Sequence, residues 1–261
     1  MKTRIRLLVV TGLTVCAALW AMPGTAHAQI FVVNEGTGMI GEYNLDGTTV
    51  NASLVSGVFN ATGLAVSGGD LFVANQNGLN VGTIGEYTTS GGTVNASLVS
   101  GLNYPIGIAV SGGHLFVANE VNGTIGEYTT SGATVNAALV SGLNGPFAIA
   151  VSGGDLFVAN LGSVGSGTIG EYTTSGGTVN ASLVSGLNSP TGIAVSGGDI
   201  FVSIFNNDTI GEYTTSGGTV NAALVSGLTD PFGIAVVPEP TTLALAGLGG
   251  LSVILFLRRR K

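Results

Sequence analysis

Three observations predict an all-β fold, a five-bladed β-propeller of four-stranded antiparallel blades. First, a unit recurs: the glutamate of a Gly-Glu-Tyr motif stands at Glu42, Glu86, Glu127, Glu171 and Glu212, spaced 44, 41, 44 and 41 residues apart. Second, each copy holds four short segments rich in Val, Ile, Phe, Tyr and Thr, bounded by Ser-Gly-Gly, Thr-Thr-Ser-Gly or Asn-x-Pro turn signals. A unit of roughly 40–45 residues with four strands is the sequence signature of a propeller blade. Third, the repeat array begins and ends part-way through a unit, as expected of a ring whose first blade is completed by its last strand. Short Gly-bounded strands also suit a right-handed β-solenoid, the competing architecture.

The elements follow in order within each unit. Strand A is G-[LI]-A-V or AIAV, beginning at Gly63, Gly107, Ala148, Gly192 and Gly233. Strand B is FVxN or its variant, with its phenylalanine at Phe31, Phe72, Phe116, Phe157 and Phe201. Strand C carries I-G-E-Y, whose alternation puts isoleucine and glutamate on one face and glycine and tyrosine on the other. Strand D is TVNA[SA]LVSG, beginning at Thr49, Thr93, Thr134, Thr178 and Thr219. Residues 29–237 therefore read as one propeller domain that opens on strands B, C and D and finishes with a lone strand A at Gly233–Val237. Pairing of that last strand with the first would close the ring and remove its exposed edges.

Composition fits a repetitive β protein and excludes one class of partner. The 261 residues are 45% hydrophobic and 8% charged, with 44 glycines and a net charge of -7. Every lysine and arginine lies at an end, at Lys2, Arg4 and Arg6 or at Arg258, Arg259, Arg260 and Lys261, while all 14 acidic residues lie between. A domain without basic side chains repels phosphate backbones and releases no nucleic-acid counterions, so nucleic-acid binding is excluded. The only cysteine, Cys16, and the only tryptophan, Trp20, fall in the first apolar run, leaving the repeat region neither a disulfide framework nor a thiolate nucleophile.

The two apolar ends have different tasks. A basic MKTRIR, an apolar stretch from Leu7 to about Met22 and small residues ending Ala26-His27-Ala28 form the three regions of an export signal, residues 1–28, cut before Gln29. The partners expected there are the Sec machinery and signal peptidase; an uncleaved anchor helix is the alternative. Thr241–Leu257 gives 17 uncharged residues, at the lower limit for a transmembrane helix, and the basic tail 258–261 holds that end in the cytoplasm by the positive-inside rule.

These last residues carry a family resemblance. Val237-Pro238-Glu239-Pro240, an apolar helix and the cluster Arg258, Arg259, Arg260 resemble the PEP-CTERM sorting signal of Gram-negative bacteria, here residues 238–261. The resemblance implies recognition by an exosortase, a membrane protease-transpeptidase that removes the helix after export, and a place at the cell surface or in the extracellular matrix linked to exopolysaccharide or biofilm. A permanent single-span anchor is the alternative. The repeats, such as PTGIAVSGGDIFVSI at residues 190–204, resemble NHL-type and gluconolactonase-like repeats. They depart from that pattern in blade number, which is more often six, and at the end of strand B. Where the family often has Asp, this chain has Asn34, Asn75, Asn119, Asn160 and then Ile204.

Comparison among the five copies locates candidate functional residues. The A-to-B turn is Ser-Gly-Gly-Asp or Ser-Gly-Gly-His, and the C-to-D turn keeps its length. The B-to-C segment alternates between five and eight residues (EGTGM, QNGLNVGT, EVNGT, LGSVGSGT, FNNDT), and the D-to-A tips change identity (FNAT, NYPI, NGPF, NSPT, TDPF). Antiparallel strands bring these two connections to one face, so variation collects on one rim. Loops on a rigid scaffold commonly carry binding residues, which makes Asn103, Tyr104, Phe147, Asn206, Asn207, Asp230 and Phe232 the candidate binding rim; drift in unconstrained turns explains the same pattern.

Other repeated residues receive structural readings. With no lysine or arginine nearby, the five glutamates are expected to accept hydrogen bonds from Thr or Ser hydroxyls and turn amides rather than ligate metal. Calcium held by Asp70, Asp155, Asp199 and loop Asn carbonyls is the alternative, without EF-hand or RTX spacing. The strand-B asparagines are expected to bond their own backbone two residues on. His114, the sole histidine of the repeat region, replaces the turn Asp on the face opposite the variable rim, and Tyr43, Tyr87, Tyr128, Tyr172 and Tyr213 read as packing residues.

The expected function is a non-catalytic surface or matrix protein that contacts polysaccharide or protein through its rim, with no cofactor. Near-identical blades lack the single asymmetric acid-base constellation an active site needs. A metal-dependent lactonase or lyase, which the gluconolactonase-like resemblance implies, and an envelope scaffold for neighbouring proteins are the alternatives.

Overall fold

The computed structural model describes residues 29–44 and 46–234. The export signal, the end of the last strand A, the sorting motif and the helix 241–257 lie outside the described residues. Among the described residues, nineteen strands form five antiparallel sheets. Blade 1 is β1 (Gln29–Asn34), β2 (Met39–Asn44) and β3 (Thr49–Ser56). Blade 2 is β4 (Ala61–Ser67), β5 (Asp70–Asn75), β6 (Gly82–Thr88) and β7 (Thr93–Leu102). Blade 3 is β8 (Pro105–Ser111), β9 (His114–Asn119), β10 (Thr124–Thr129) and β11 (Thr134–Val140). Blade 4 is β12 (Pro146–Ser152), β13 (Asp155–Asn160), β14 (Gly167–Thr173) and β15 (Thr178–Leu187). Blade 5 is β16 (Pro190–Ser196), β17 (Asp199–Ile204), β18 (Thr209–Thr214) and β19 (Thr219–Ser226). Every blade pairs its strands in chain order, the up-and-down arrangement of a propeller and not that of a solenoid.

Alternation along each strand builds the core between blades. Leu71 and Val73 of β5 turn toward blade 1 and pack with Ile40 and Val55, while Phe72 and Ala74 turn toward blade 3 and pack with Leu115 and Val117. The same exchange fills the junctions between blades 3 and 4 and between blades 4 and 5. The strand-C faces are as predicted: Ile84 packs toward blade 3 and Tyr87 toward blade 1. The glycine of I-G-E-Y makes room for its own tyrosine, because a Cβ on Gly126 would stand 2.7 Å from the Tyr128 hydroxyl oxygen. At the centre, the inner strands approach so closely that a Cβ on Gly107 would meet the Phe147 carbonyl oxygen at 2.6 Å.

Each strand D carries a bulge. In β7, Asn95 lies opposite Glu86 and Val99 opposite Ile84, so the outer strand holds more residues than its partner between those points. The Asn95 side-chain oxygen accepts from the Ser97 N–H at 3.0 Å, and Asn51, Asn136, Asn180 and Asn221 do the same in their blades. A bulge bends an edge strand away from the flat geometry that recruits a foreign strand. The asparagine of TVNA thus shapes the outer edge of every blade.

The strand that closes the ring is described only in part. Blade 1 is three-stranded among the described residues, and Pro231–Ile234 runs without ladder pairing to β1. The segment lies against the inner strand of blade 5: the Thr191 hydroxyl donates to the Pro231 carbonyl at 2.8 Å, and the Phe232 carbonyl lies over Gly192. This is the station an inner strand occupies elsewhere, as where Thr62 donates to Pro105 at 3.0 Å. Residues 235–237, which would complete the pairing, lie outside the described residues.

Candidate functional site at the channel mouth

The two variable connections do meet on one rim. The first residue after strand B donates its N–H to the D-to-A tip beside it: Gln76 to Asn60 at 2.8 Å, Glu120 to Tyr104 at 3.0 Å, Leu161 to Gly145 at 2.9 Å and Phe205 to Ser189 at 3.0 Å. Inside this rim the inner strands surround a cavity of about 560 Å³ whose floor includes Val33, Ile106, Ile108, Ile149, Ile193 and Ile234. All five blades reach it.

The wall is divided. On the side of blades 1 to 3 stand Glu35, Gln76 and Glu120, and on the side of blade 4 and the terminal segment stand Phe147 and Phe232. Phe232 is held edge-on between two other rings, with centroids 5.7 Å from Phe147 and 5.5 Å from Phe205. Burial raises the Glu120 carboxyl above its ordinary value. Two wall hydroxyls, Thr62 and Thr191, already donate to the carbonyls of Pro105 and Pro231.

The rim residues predicted from sequence divide accordingly. Phe147 and Phe232 line the cavity. Asn103 does not present a free contact, since it is 8% exposed and donates to the Asn122 side-chain oxygen. Tyr104 is half-buried with φ 61°, in the left-handed region. Asn206 donates to the Ser189 hydroxyl at 2.7 Å, and Asn207 accepts from Asn188 at 3.1 Å, so both latch one connection to the next. Asp230, with φ 46°, donates its N–H to the Asp208 carboxylate at 3.1 Å.

Sequence reasoning missed Glu35, Gln76, Glu120 and Phe205. The signal was the first letter of each B-to-C segment, E, Q, E, L and F, a single station that changes from polar to apolar around the ring.

The opposite rim shows what the repeated glutamates do. The contacts found for them among the described residues are not with Thr or Ser hydroxyls or turn amides. Gln29 donates to Glu42, and His114 Nδ1 lies 2.8 Å from Glu127 Oε1. The reason is register: the first residue of strand B shares a face with the glutamate of strand C, as Asp70 does with Glu86. His114 is therefore the first residue of β9 as well as a turn residue. Where that partner is Asp70 or Asp155, burial first and the second carboxylate next raise Glu86 and Glu171 above their ordinary values. A second cavity of about 600 Å³, lined by Asp70, Glu86, Asn95 and Ser131, opens between blades 2 and 3. No group of three or more His, Cys, Asp or Glu side chains is placed to hold a metal among the described residues. Tyr87, Tyr128, Tyr172 and Tyr213 are buried, and burial raises their hydroxyl pKa values.

The comparisons add an address. Residues 236–261 match the PEP-CTERM protein-sorting motif. That motif implies export and exosortase processing, which brings the chain to the cell envelope or surface. Comparison with curated protein sequences gives no match. Among solved structures, the chain is similar to a catalytically inactive virginiamycin B lyase from Staphylococcus aureus with quinupristin, at 22% identity and TM-score 0.64, over 82% of this chain and 72% of that one. It is also similar to a gluconolactonase from Xanthomonas campestris, at 14% identity and TM-score 0.62, covering 80% of this chain and 76% of that one. A chain of a nidogen/laminin complex matches at 15% identity and TM-score 0.56, over 78% and 96% of the two chains. At these identities the likeness is one of fold.

Proposed function

We propose that the chain is an exported surface or matrix protein that holds an extracellular polymer at its channel mouth without converting it chemically, in association with exopolysaccharide or biofilm. The observation that carries this reading is the sorting motif at residues 236–261, which directs a propeller outward. The mouth supports it, because there otherwise repeated blades differ in chemistry around a shared cavity, pairing Glu35 and Glu120 with Phe147 and Phe232. The matched motif begins two residues after Ile234, which lines the cavity.

The test is fractionation of the native host. The processed chain is expected in the envelope and matrix fractions when exosortase is present and to remain with the inner membrane when it is deleted. A Phe147→Ala, Phe232→Ala variant should be exported normally yet be washed from the matrix. Full retention of that variant would remove the mouth from the reading. Turnover of quinupristin or of gluconolactone by the full chain would overturn the non-catalytic part.

A further inference from the structure

We propose that the channel mouth binds a glycan bearing free amino groups, with its ammonium groups at Glu35 and Glu120 and the apolar face of a sugar ring on Phe147 and Phe232. The inference rests on the surface-binder reading and names its ligand.

The wall is rich in acceptors and poor in donors. Between Leu7 and Leu257 there is no lysine or arginine, so neither carboxylate has a cationic side chain to pair with inside the domain. His114 stands beside Glu127 on the opposite rim. The hydroxyls of Thr62 and Thr191 are already spent on carbonyls. Among the described residues this leaves the Gln76 amide as the uncommitted side-chain donor in the wall. An anionic polymer would meet carboxylates and no counter-charge, and the field of an all-acidic domain would repel it before contact. A wholly apolar ligand would strip water from Glu120, which is already partly buried, with nothing in return. A cation beside an apolar surface satisfies both halves of the wall.

The aromatic half narrows the ligand further. Phe147 and Phe232 offer faces without hydrogen-bonding groups, fixed by edge contacts that include Phe205. Such faces attract the polarised C–H groups next to an ammonium as well as the ammonium itself. A pyranose presents a flat C–H face and, in an amino sugar, an ammonium at its edge, which matches the division of the wall. The cavity, about 560 Å³, lies within the usual range of pockets for ligands of this size, roughly 300–1,000 Å³.

The experiment is calorimetric titration of the full chain in detergent with chitosan oligosaccharide, its fully N-acetylated counterpart and oligolysine. The glucosamine oligomer is expected to bind, and acetylation to weaken binding at least about tenfold, the scale of one lost charge-assisted hydrogen bond. Glu35→Gln with Glu120→Gln should cost a similar factor at a melting temperature no lower than the parent's, and Phe147→Leu should weaken the oligosaccharide but not oligolysine. Equal binding of the acetylated form, unchanged affinity of the glutamine variant, or no binding of the glucosamine oligomer overturns the proposal. Oligolysine binding as tight as the glucosamine oligomer, with equal loss in both variants, overturns the glycan. Matrix retention that survives the glutamine variant but is lost with Phe147→Ala and Phe232→Ala sinks the amino sugar while leaving the surface-binder reading standing.

Discussion

Thr209 carries a hydroxyl whose partner has been replaced. In blades 2, 3 and 4 the asparagine ending strand B donates to the first or second residue of strand C: Asn75 to Thr83 at 3.4 Å, Asn119 to Thr124 at 3.5 Å and Asn160 to Thr168 at 3.3 Å. In blade 5 that position is Ile204, 2% exposed and part of the core, and the Thr209 hydroxyl is buried without a partner. Thr209→Val is therefore expected to leave stability unchanged or raise it by up to about 1 kcal/mol, whereas Thr124→Val lowers it by about 0.5–1 kcal/mol, as read from urea midpoints. A larger loss at Thr209 than at Thr124 would contradict the assignment. The repetition of these asparagines was legible in the sequence, but the direction of their bonds was not. They bond backward, Asn75 to the Val73 carbonyl at 3.4 Å, because the side chain is buried against its own sheet instead of closing a turn. Glu35 and Glu120 escaped notice for a related reason. Loop length alternates along the whole B-to-C segment, whereas in blades 1 to 3 the cavity is lined by the residue that comes first after the strand.

Strands B and C of one blade act as a pair, and their shared face sets a pH response. Residues opposite one another in an antiparallel ladder point the same way, so Asp70, Phe72, Glu86 and Thr88 crowd one side of blade 2. Glu86 and Glu171 have raised pKa values in the folded chain, from burial and then from Asp70 and Asp155. A carboxyl whose folded pKa is raised favours folding when protonated, so this contribution grows as pH falls through the raised values and is lost as pH rises through them. Asp70→Asn with Asp155→Asn removes the second charge. The variant should melt higher than the parent at neutral pH, by under about 1 kcal/mol per site because both are partly solvated, and the advantage should shrink toward pH 4. Melting curves across that range check this, and a constant offset at every pH would mean that the carboxylates do not couple. Blades 1 and 3 already carry the relieved form, with Gln29 and His114 in place of the aspartate. The Asp-to-His change was visible in the sequence as a turn variant, and only the register joined it to Glu127.

For the whole molecule, the repeat and the number of blades could be read from spacing alone, but how far each junction between blades is covered could not, because it depends on how two similar faces come to rest. At four junctions the same positions are fully covered: Leu71, Leu115, Leu156 and Ile200 are 0% exposed, as are Val73, Val117, Val158 and Val202. Their counterparts in blade 1, Ile30 and Val32, are 38% and 44% exposed, and on the facing side of blade 5 Leu224 and Val225 are 43% and 40% exposed. Both surfaces have the composition that packs elsewhere, yet hydrophobic core clusters fill four junctions among the described residues. The seam beside β1 should therefore tolerate polarity that the other junctions do not. Val32→Thr is expected to cost within about 0.5 kcal/mol, while Val73→Thr, which buries a hydroxyl without a partner, costs about 1–3 kcal/mol. Denaturant unfolding of the two variants decides between two states of the ring. A cost at Val32 equal to that at Val73 would mean that Val32 is covered in solution as its counterparts are, and the difference expected here would mean that it stays at the more exposed of the junctions.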